Sequence, residues 1–285
     1  MSTGVETKVA LRRMTSHDLA AAHALSSEQK WPHRVEDWEM MLDLGFGYVV
    51  ERDGEVIGTA MAWRFGADAA TIGMVIVSPE AQNRGLGRQL IESLLTELGD
   101  RTVLLNATDA GLPLYRALGF EVAGLVLQHQ GAAFSVPIAK LIPNERVRPL
   151  GVKDMPKLRS LARRATGMDR DALLDALVAG AQGVVLTRSN KPVGFSLFRR
   201  FGRGYVVGPT IAPDIGGAKA LISHWLGSNN GKFCRLDVPE ESGLSDWLEA
   251  LGLPRVDQVM RMVRGTPPQV DPSAAVFSLS TQALG

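Results

Sequence analysis

The chain repeats itself once, and the repeat restricts its fold more than any single motif. Arg12 and Asp18 recur as Arg148 and Asp154, Gly58 as Gly194, and Phe65-Gly66 as Phe201-Gly202, all at a spacing of 136 residues. Further along, Val77-Ser-Pro79 answers to Ile211-Ala-Pro213 at 134, and Arg116-Ala-Leu-Gly-Phe120 to Glu249-Ala-Leu-Gly-Leu253 at 133. An ordered series whose offset shrinks by a few residues is what small loop deletions leave in two copies of one fold. A length of 285 residues is enough for two domains with cores of their own. Leu141-Ile-Pro-Asn-Glu-Arg146 reads as the linker, which divides the chain into residues 1–143 and 144–285.

The first copy sets the plan of both. Val9–Arg12 reads as a strand, and Thr15 followed by Asp18 fits a capping box at the start of a helix. Trp38–Leu42 belongs to a second helix, with Trp38 in the core and Glu36 and Asp37 favouring the helix N-terminus. Tyr48–Glu51 and Val56–Trp63 form a hairpin around the turn dipeptide Asp53-Gly54. Thr71–Val77 is a nearly continuous apolar strand, and Leu86, Leu90, Leu94 and Leu98 mark one face of the helix that follows. Val103–Asn106 is the next strand, then come a helix through Tyr115 and a strand after Gly119-Phe120. Mixed strands and helices in this order predict an α/β domain. After the prolines at 267, 268 and 272, Ala275–Leu279 is expected to add a late strand to the second domain.

Between the apolar strand and its helix lies Gln82-Asn83-Arg84-Gly85-Leu86-Gly87. The first turn of a helix has backbone N–H groups without intrahelical partners and the positive end of the helix dipole. Glycines there let the backbone approach a ligand, so the turn suits a phosphate or pyrophosphate. Its spelling is neither Gly-x-Gly-x-x-Gly nor Gly-x-x-x-x-Gly-Lys-Ser/Thr, which disfavours a dinucleotide site and a nucleotide P-loop. It resembles the Gln/Arg-x-x-Gly-x-Gly/Ala signature of the GNAT acyltransferase superfamily, matched by Gln82, Gly85 and Gly87. Leu114-Tyr-Arg-Ala-Leu-Gly-Phe120 likewise resembles the Tyr-x-x-x-Gly-Phe element of those enzymes.

The resemblance implies two tandem GNAT-like domains, each a mixed, mostly antiparallel sheet flanked by helices. It implies an N-acetyltransferase that moves an acetyl group from acetyl-CoA to a primary amine by direct attack in a ternary complex. Ile76 and Val77, the loop residues Gln82, Asn83, Arg84, Gly85, Leu86, Gly87 and Arg88, and Asn106 would then contact the co-substrate. Tyr115 would be the general acid, a role suited to a phenol with a free pKa of about 10. Asn106 stands where relatives often have Asp. The fourth strand, Thr71–Val77, lacks the carboxylate that often serves as base. Glu28 or His33 could take the proton through a water, His33 having the more suitable unperturbed pKa. The amine could equally arrive neutral or lose its proton to water. The missing carboxylate also leaves open a non-catalytic acyl-CoA sensor or scaffold.

In the second copy the loop shortens to Ala212-Pro-Asp-Ile-Gly-Gly-Ala-Lys219, and the position matching Tyr115 is Leu248. Residues 144–285 therefore read as a degenerate copy that completes the acceptor pocket, with Asp237 a candidate to face it. Net charge of +1 gives no reason to expect nucleic acid or an anionic membrane, and a solvated turn accounts for Arg199, Arg200 and Arg203. No apolar stretch is long enough to span a bilayer and no signal-peptide core is visible. A single cysteine, Cys234, in a strand-like run reads as a buried filler, and histidines 17, 23, 33, 129 and 224 have no ligand spacing. The expectation is a metal-free, cytoplasmic protein acting on a small amine, a monomer in preference to a dimer. An amino acid, a polyamine, an aminoglycoside-like compound and a protein terminus all remain as acceptors.

Overall fold

The computed structural model describes residues 9–285. The first half runs β1 (Val9–Arg13), α1 (Leu19–Glu28), α2 (Val35–Leu44), β2 (Phe46–Arg52), β3 (Glu55–Phe65), β4 (Ala69–Val77), α3 (Leu86–Leu98), β5 (Thr102–Ala107), α4 (Leu112–Ala117) and β6 (Glu121–Ala132). The second repeats it as β7 (Glu145–Pro149), α5 (Met155–Thr166), α6 (Asp171–Ala179), β8 (Ala181–Arg188), β9 (Lys191–Phe201), β10 (Gly204–Ala212), α7 (Ile215–Ser228), β11 (Phe233–Pro239), α8 (Ser245–Ala250) and β12 (Arg255–Arg264), with β13 (Ala275–Ser278) added. The irregular connection covers residues 133–144, and β7 already begins at Glu145, inside the expected linker.

The repeated residues do the same work twice. Asp18 accepts two hydrogen bonds from Arg12 at 2.7 and 2.9 Å and one from the Thr15 amide at 2.8 Å. Asp154 accepts two from Arg148 at 2.7 Å and one from the Gly151 amide at 2.9 Å. Each clamp ties the first strand of its half to the helix that follows. Asp53 and Gly54 both take positive φ, 52° and 89°, the geometry of a two-residue hairpin whose twist matches its strands.

All the strands form one sheet, in the order β1-β2-β3-β4-β5-β12-β6-β11-β10-β9-β8-β7, with β13 against β10. The two halves exchange their last long strands. β12, from the second half, pairs antiparallel with β5 (Met260 with Ala107 through Arg264 with Val103), and β6, from the first, pairs antiparallel with β11 (Leu236 with His129). β6 and β12 then pair with each other and join the halves. Neither half's sheet is built from its own residues alone.

Amphipathic helices close both faces. α3 buries Leu86, Leu90, Ile91, Leu94 and Leu98 against the sheet, with Ile72, Val103 and Phe120 in the same cluster. Burying each of these aliphatic side chains contributes about 1.5–3 kcal/mol. On the opposite face, Trp38, Met41 and Trp63 share one core with Leu158, Leu161, Leu177 and Phe195 of the second half. The Trp38 indole N–H donates to Ser26 Oγ at 3.1 Å inside it. Asp37 caps α2 by accepting from the Arg34 amide at 3.0 Å, and it also faces Arg199 across the junction at 3.4 Å. Arg199 is buried, so the basic run Arg199–Arg203 is not wholly a solvated turn.

Candidate active site

The loop after β4 is shaped by two left-handed residues. Asn83 has φ 61° and Gly85 φ 78°, and Gly85 is the N-cap of α3. A side chain at Gly85 would be strained by its backbone, while the space a Cβ would enter is open, with no atom within 4 Å. Gln82 Nε2 donates to the Val77 carbonyl at 3.0 Å and pins the loop to the strand end, and buried Leu86 anchors the other side. Gln82, Asn83, Arg84, Gly85 and Arg88 are exposed, whereas Ile76 is buried in the core on the other face of the sheet. The unpaired N–H groups of the first turn therefore face an open cradle at the positive end of α3. A pyrophosphate fits these residues.

From that cradle β4 leads inward. It pairs in parallel with β5 from Ala69–Thr102 to Ile72–Leu105 and no further. Just beyond, the register with β3 shifts, so that Thr59 opposes Ile76 and Met61 opposes Gly73, a bulge of one residue. The bulge holds Met74 at φ 54°, a strained conformation for a side-chain-bearing residue, and the Thr59 hydroxyl donates to its carbonyl at 2.8 Å. Where the strands part, Ile72–Val75 form one wall of a cavity of about 430 Å³. This is within the size range of small-molecule sites, roughly 300–1,000 Å³.

Tyr115 and Asn106 line the same cavity from the first half. Tyr115 is buried, its ring packs edge-on against Phe120 at 5.9 Å, and among the described residues its hydroxyl has no hydrogen-bond partner. Burial pushes the phenol pKa above its ordinary 10, so the group stays protonated. Asn106 Nδ2 donates to the Gln282 carbonyl at 2.6 Å, and Oδ1 is buried with no hydrogen-bond partner among the described residues. His33 also lines the cavity, edge-on to Phe201 at 5.3 Å. Burial, and secondarily Arg235, push its pKa down to about 3, so the ring is neutral at pH 7 and holds a proton poorly. Glu28 is exposed at the end of α1 and lies outside the cavity wall.

The remaining walls come from elements that sequence patterns did not bring together. Gln128 and Gln130 are on exchanged β6, Phe201 and Arg203 at the β9–β10 turn, Arg235 on β11, and Gln282 and Ala283 on the segment after β13. Asp237 sits inside β11 and accepts from Arg235 Nε and Nη2 at 2.8 and 2.9 Å and from Gln282 Nε2 at 3.0 Å. It sits behind the cavity and holds Arg235 and Gln282 in place. Only the loop and the Tyr-x-x-x-Gly-Phe element had a local sequence signal.

A family model described as acetyltransferase (GNAT) domain matches residues 43–122, and a second with the same description matches residues 158–278. The chain is a GNAT acetyltransferase with two such domains in tandem. It is 28% identical over 270 residues to the uncharacterized N-acetyltransferase YitH of Bacillus subtilis, covering 92% of this chain and 93% of that one. A crystal structure from Pyrococcus horikoshii superposes over 97% of this chain and 96% of its own, with TM-score 0.80 and 20% identity. A tandem GNAT protein from the clavulanic acid biosynthesis pathway superposes over 92% of this chain and 100% of its own, with TM-score 0.65 and 15% identity. The two structural likenesses bear on fold alone.

The second GNAT domain differs where the first has its cradle. β10 runs almost directly into α7, and Asp214 caps that helix by accepting from the Gly217 amide at 2.8 Å. A carboxylate thus occupies the helix N-terminus, paired also with Arg188 at 3.1 Å. β10 and β11 pair only at Tyr205–Cys234 and Val206–Arg235 before parting, and β13 enters on β10 from Thr210 to Ala212. The Leu279 amide then donates to the Asp237 carbonyl of β11 at 2.8 Å, so the chain itself bridges the parted strands. Leu248, opposite Tyr115 in the repeat, is fully buried in the core, as is Cys234, whose thiol pKa burial raises to about 11. Among the described residues no cluster of His, Cys, Asp or Glu is arranged to hold a metal, and no helix is long and apolar enough to cross a membrane.

Proposed function

We propose that the first domain binds one acetyl-CoA and transfers its acetyl group directly to a small primary amine, and that the second domain is degenerate and walls the acceptor site. The observation that carries this is the single cavity in which the β4 bulge, Tyr115 and residues of the second domain converge. Bound acetyl-CoA supplies a thioester, an acyl group already activated toward an amine. The amides of residues 83–88 hold its pyrophosphate, and the open edge of β4 beside Ile76 and Val77 directs the arm inward. Tyr115, kept protonated by burial, gives its proton to the departing thiolate. His33 and Glu28 support no direct base role in these positions, so the amine's proton leaves through water. Trp31 and Phe201 limit solvent around the reacting groups.

In the second domain, the Asp214 cap repels the phosphate that the first domain's loop attracts, and β13 fills the slot between the parted strands. The test is steady-state CoA release with both substrates varied over an amine panel. Intersecting double-reciprocal lines support direct transfer in a ternary complex, and parallel lines would replace it with an acyl-enzyme route.

A further inference from the structure

The cavity wall is unevenly charged for a site that takes an amine. It contains three basic side chains, Lys30, Arg203 and Arg235, and one carboxylate, Asp257. Asp257 is exposed, and its Oδ1 already accepts the Gln258 amide at 2.8 Å. Arg235 is only 7% exposed, and Asp237 fixes its guanidinium through Nε and Nη2, which leaves Nη1 without a hydrogen-bond partner among the described residues. Among the described residues neither the Lys30 ammonium nor the Arg203 guanidinium has a hydrogen-bond or ion-pair partner. The rest of the polar wall is uncharged, made of amides such as Gln128 and Gln130, hydroxyls such as Thr108 and Tyr115, and the neutral ring of His33.

A simple or polycationic amine would meet mostly like charge in this cavity, offset on the wall only by the exposed Asp257, whose Oδ1 is already engaged. We infer that the acceptor amine carries an anionic group on the same small molecule, a carboxylate or a phosphate monoester, held by Arg203 and Arg235 with Lys30 at the mouth. This rests on the reading of the cavity as the acceptor site. A fixed guanidinium and a free one lining the same cavity are groups suited to a planar or tetrahedral oxyanion. The basic groups lie on the second domain and on the segment after α1, whereas Tyr115 and the β4 bulge lie on the first domain. An acceptor bound by its anion at one end would therefore present its amine at the other. The unpaired Asn106 Oδ1 provides an acceptor for an N–H there.

The test is calorimetric titration of the full chain, saturated with CoA, against matched pairs. The pairs are the α-amino acids with their carboxamides, and glucosamine 6-phosphate with glucosamine, with spermidine as the cationic comparison. At least one anionic member is expected to bind 30-fold or more tightly than its neutral counterpart. Preference for an amino acid or for the amino-sugar phosphate identifies the anion. Arg203→Gln and Lys30→Gln, at exposed and unpartnered positions, should each weaken that ligand about tenfold and leave the neutral counterpart unchanged. The inference is overturned when no anionic member outbinds its counterpart, or when spermidine binds best. CoA release in the same mixtures, started with acetyl-CoA, separates the two readings. Selective binding without release leaves the inference and removes the transfer reading, and release from neutral amines alone does the reverse.

Discussion

Replacing Tyr115 by Phe separates chemistry from folding unusually well, because the hydroxyl is idle in the fold. It has no hydrogen-bond partner among the described residues, and the ring alone packs against Phe120. Removing the oxygen therefore leaves no orphaned group and no cavity of consequence, and the change in stability is expected to stay below about 0.5 kcal/mol. Proton donation by a positioned group contributes about 10²–10⁴ in rate. The Phe variant should thus lose about 100-fold or more in kcat, which corresponds to about 2.7 kcal/mol of barrier. Affinity for acetyl-CoA should be unchanged, since the phenol lines the cavity and is not part of the pyrophosphate loop. The assay is CoA release at saturating substrates, with calorimetry for binding and a thermal scan for stability. Because burial raises the phenol pKa, wild-type kcat should show no loss of this acid as pH rises to about 10. A variant within threefold of wild type, equally stable and equally able to bind, would refute the assignment of Tyr115 as the acid.

Three further outcomes follow from the fold. Residues 9–143 expressed alone should not fold cooperatively, because β5 then loses β12 and β6 loses both of its neighbours; a monomeric fragment with a sharp unfolding transition would contradict the strand exchange. Asp154→Asn should cost about 1.5–3 kcal/mol in denaturant unfolding at pH 7, from loss of the charged bonds to Arg148. Arg148, then burial and the Gly151 amide, set the Asp154 pKa, with a net lowering from 3.8. The unfolded chain therefore binds the proton more readily, so this stability is complete above about pH 4 and disappears as pH falls through the lower folded value. The gap between wild type and Asp154→Asn should close over that acid range, and a pH-independent gap would show that the carboxylate's charge is not the source. Gly85→Ala should destabilise by about 1–2 kcal/mol through its left-handed backbone alone, since its Cβ meets no atom. An unchanged unfolding midpoint would mean that the loop does not hold that conformation.

What could be read in the sequence was what is encoded locally or copied twice. The Arg12–Asp18 clamp and the Asp53-Gly54 turn are short-range, and the loop at Gln82–Gly87 is spelled by residues whose backbone demands are specific. The same holds for the late strand at Ala275, marked by a short apolar run after a proline-rich loop. The exchange of β6 and β12 was not visible, because both are strands of similar pattern and nothing local says which neighbour each pairs with. Half of the cavity was lost with it. Gln128, Arg235 and Gln282 meet Tyr115 only through that long-range pairing. Arg199 and Arg203 read as one basic turn, although Arg199 is buried against Asp37 and the Ser280 carbonyl, while Arg203 reaches the cavity. Composition cannot distinguish a solvated arginine from one paired across a domain junction.

The central claim is that one domain binds the co-substrate and the other has lost the means to do so. Calorimetric titration of acetyl-CoA into the wild-type chain and into Gly85→Glu tests it most directly. A glutamate placed in the open cradle sets one negative charge near the two of a pyrophosphate, at about 1 kcal/mol per pair at 4 Å in water and more where solvent is excluded. One site per chain in the wild type, weakened 30-fold or more in the variant, is the expected result. Two sites per chain, or a single site indifferent to Gly85→Glu, would contradict it.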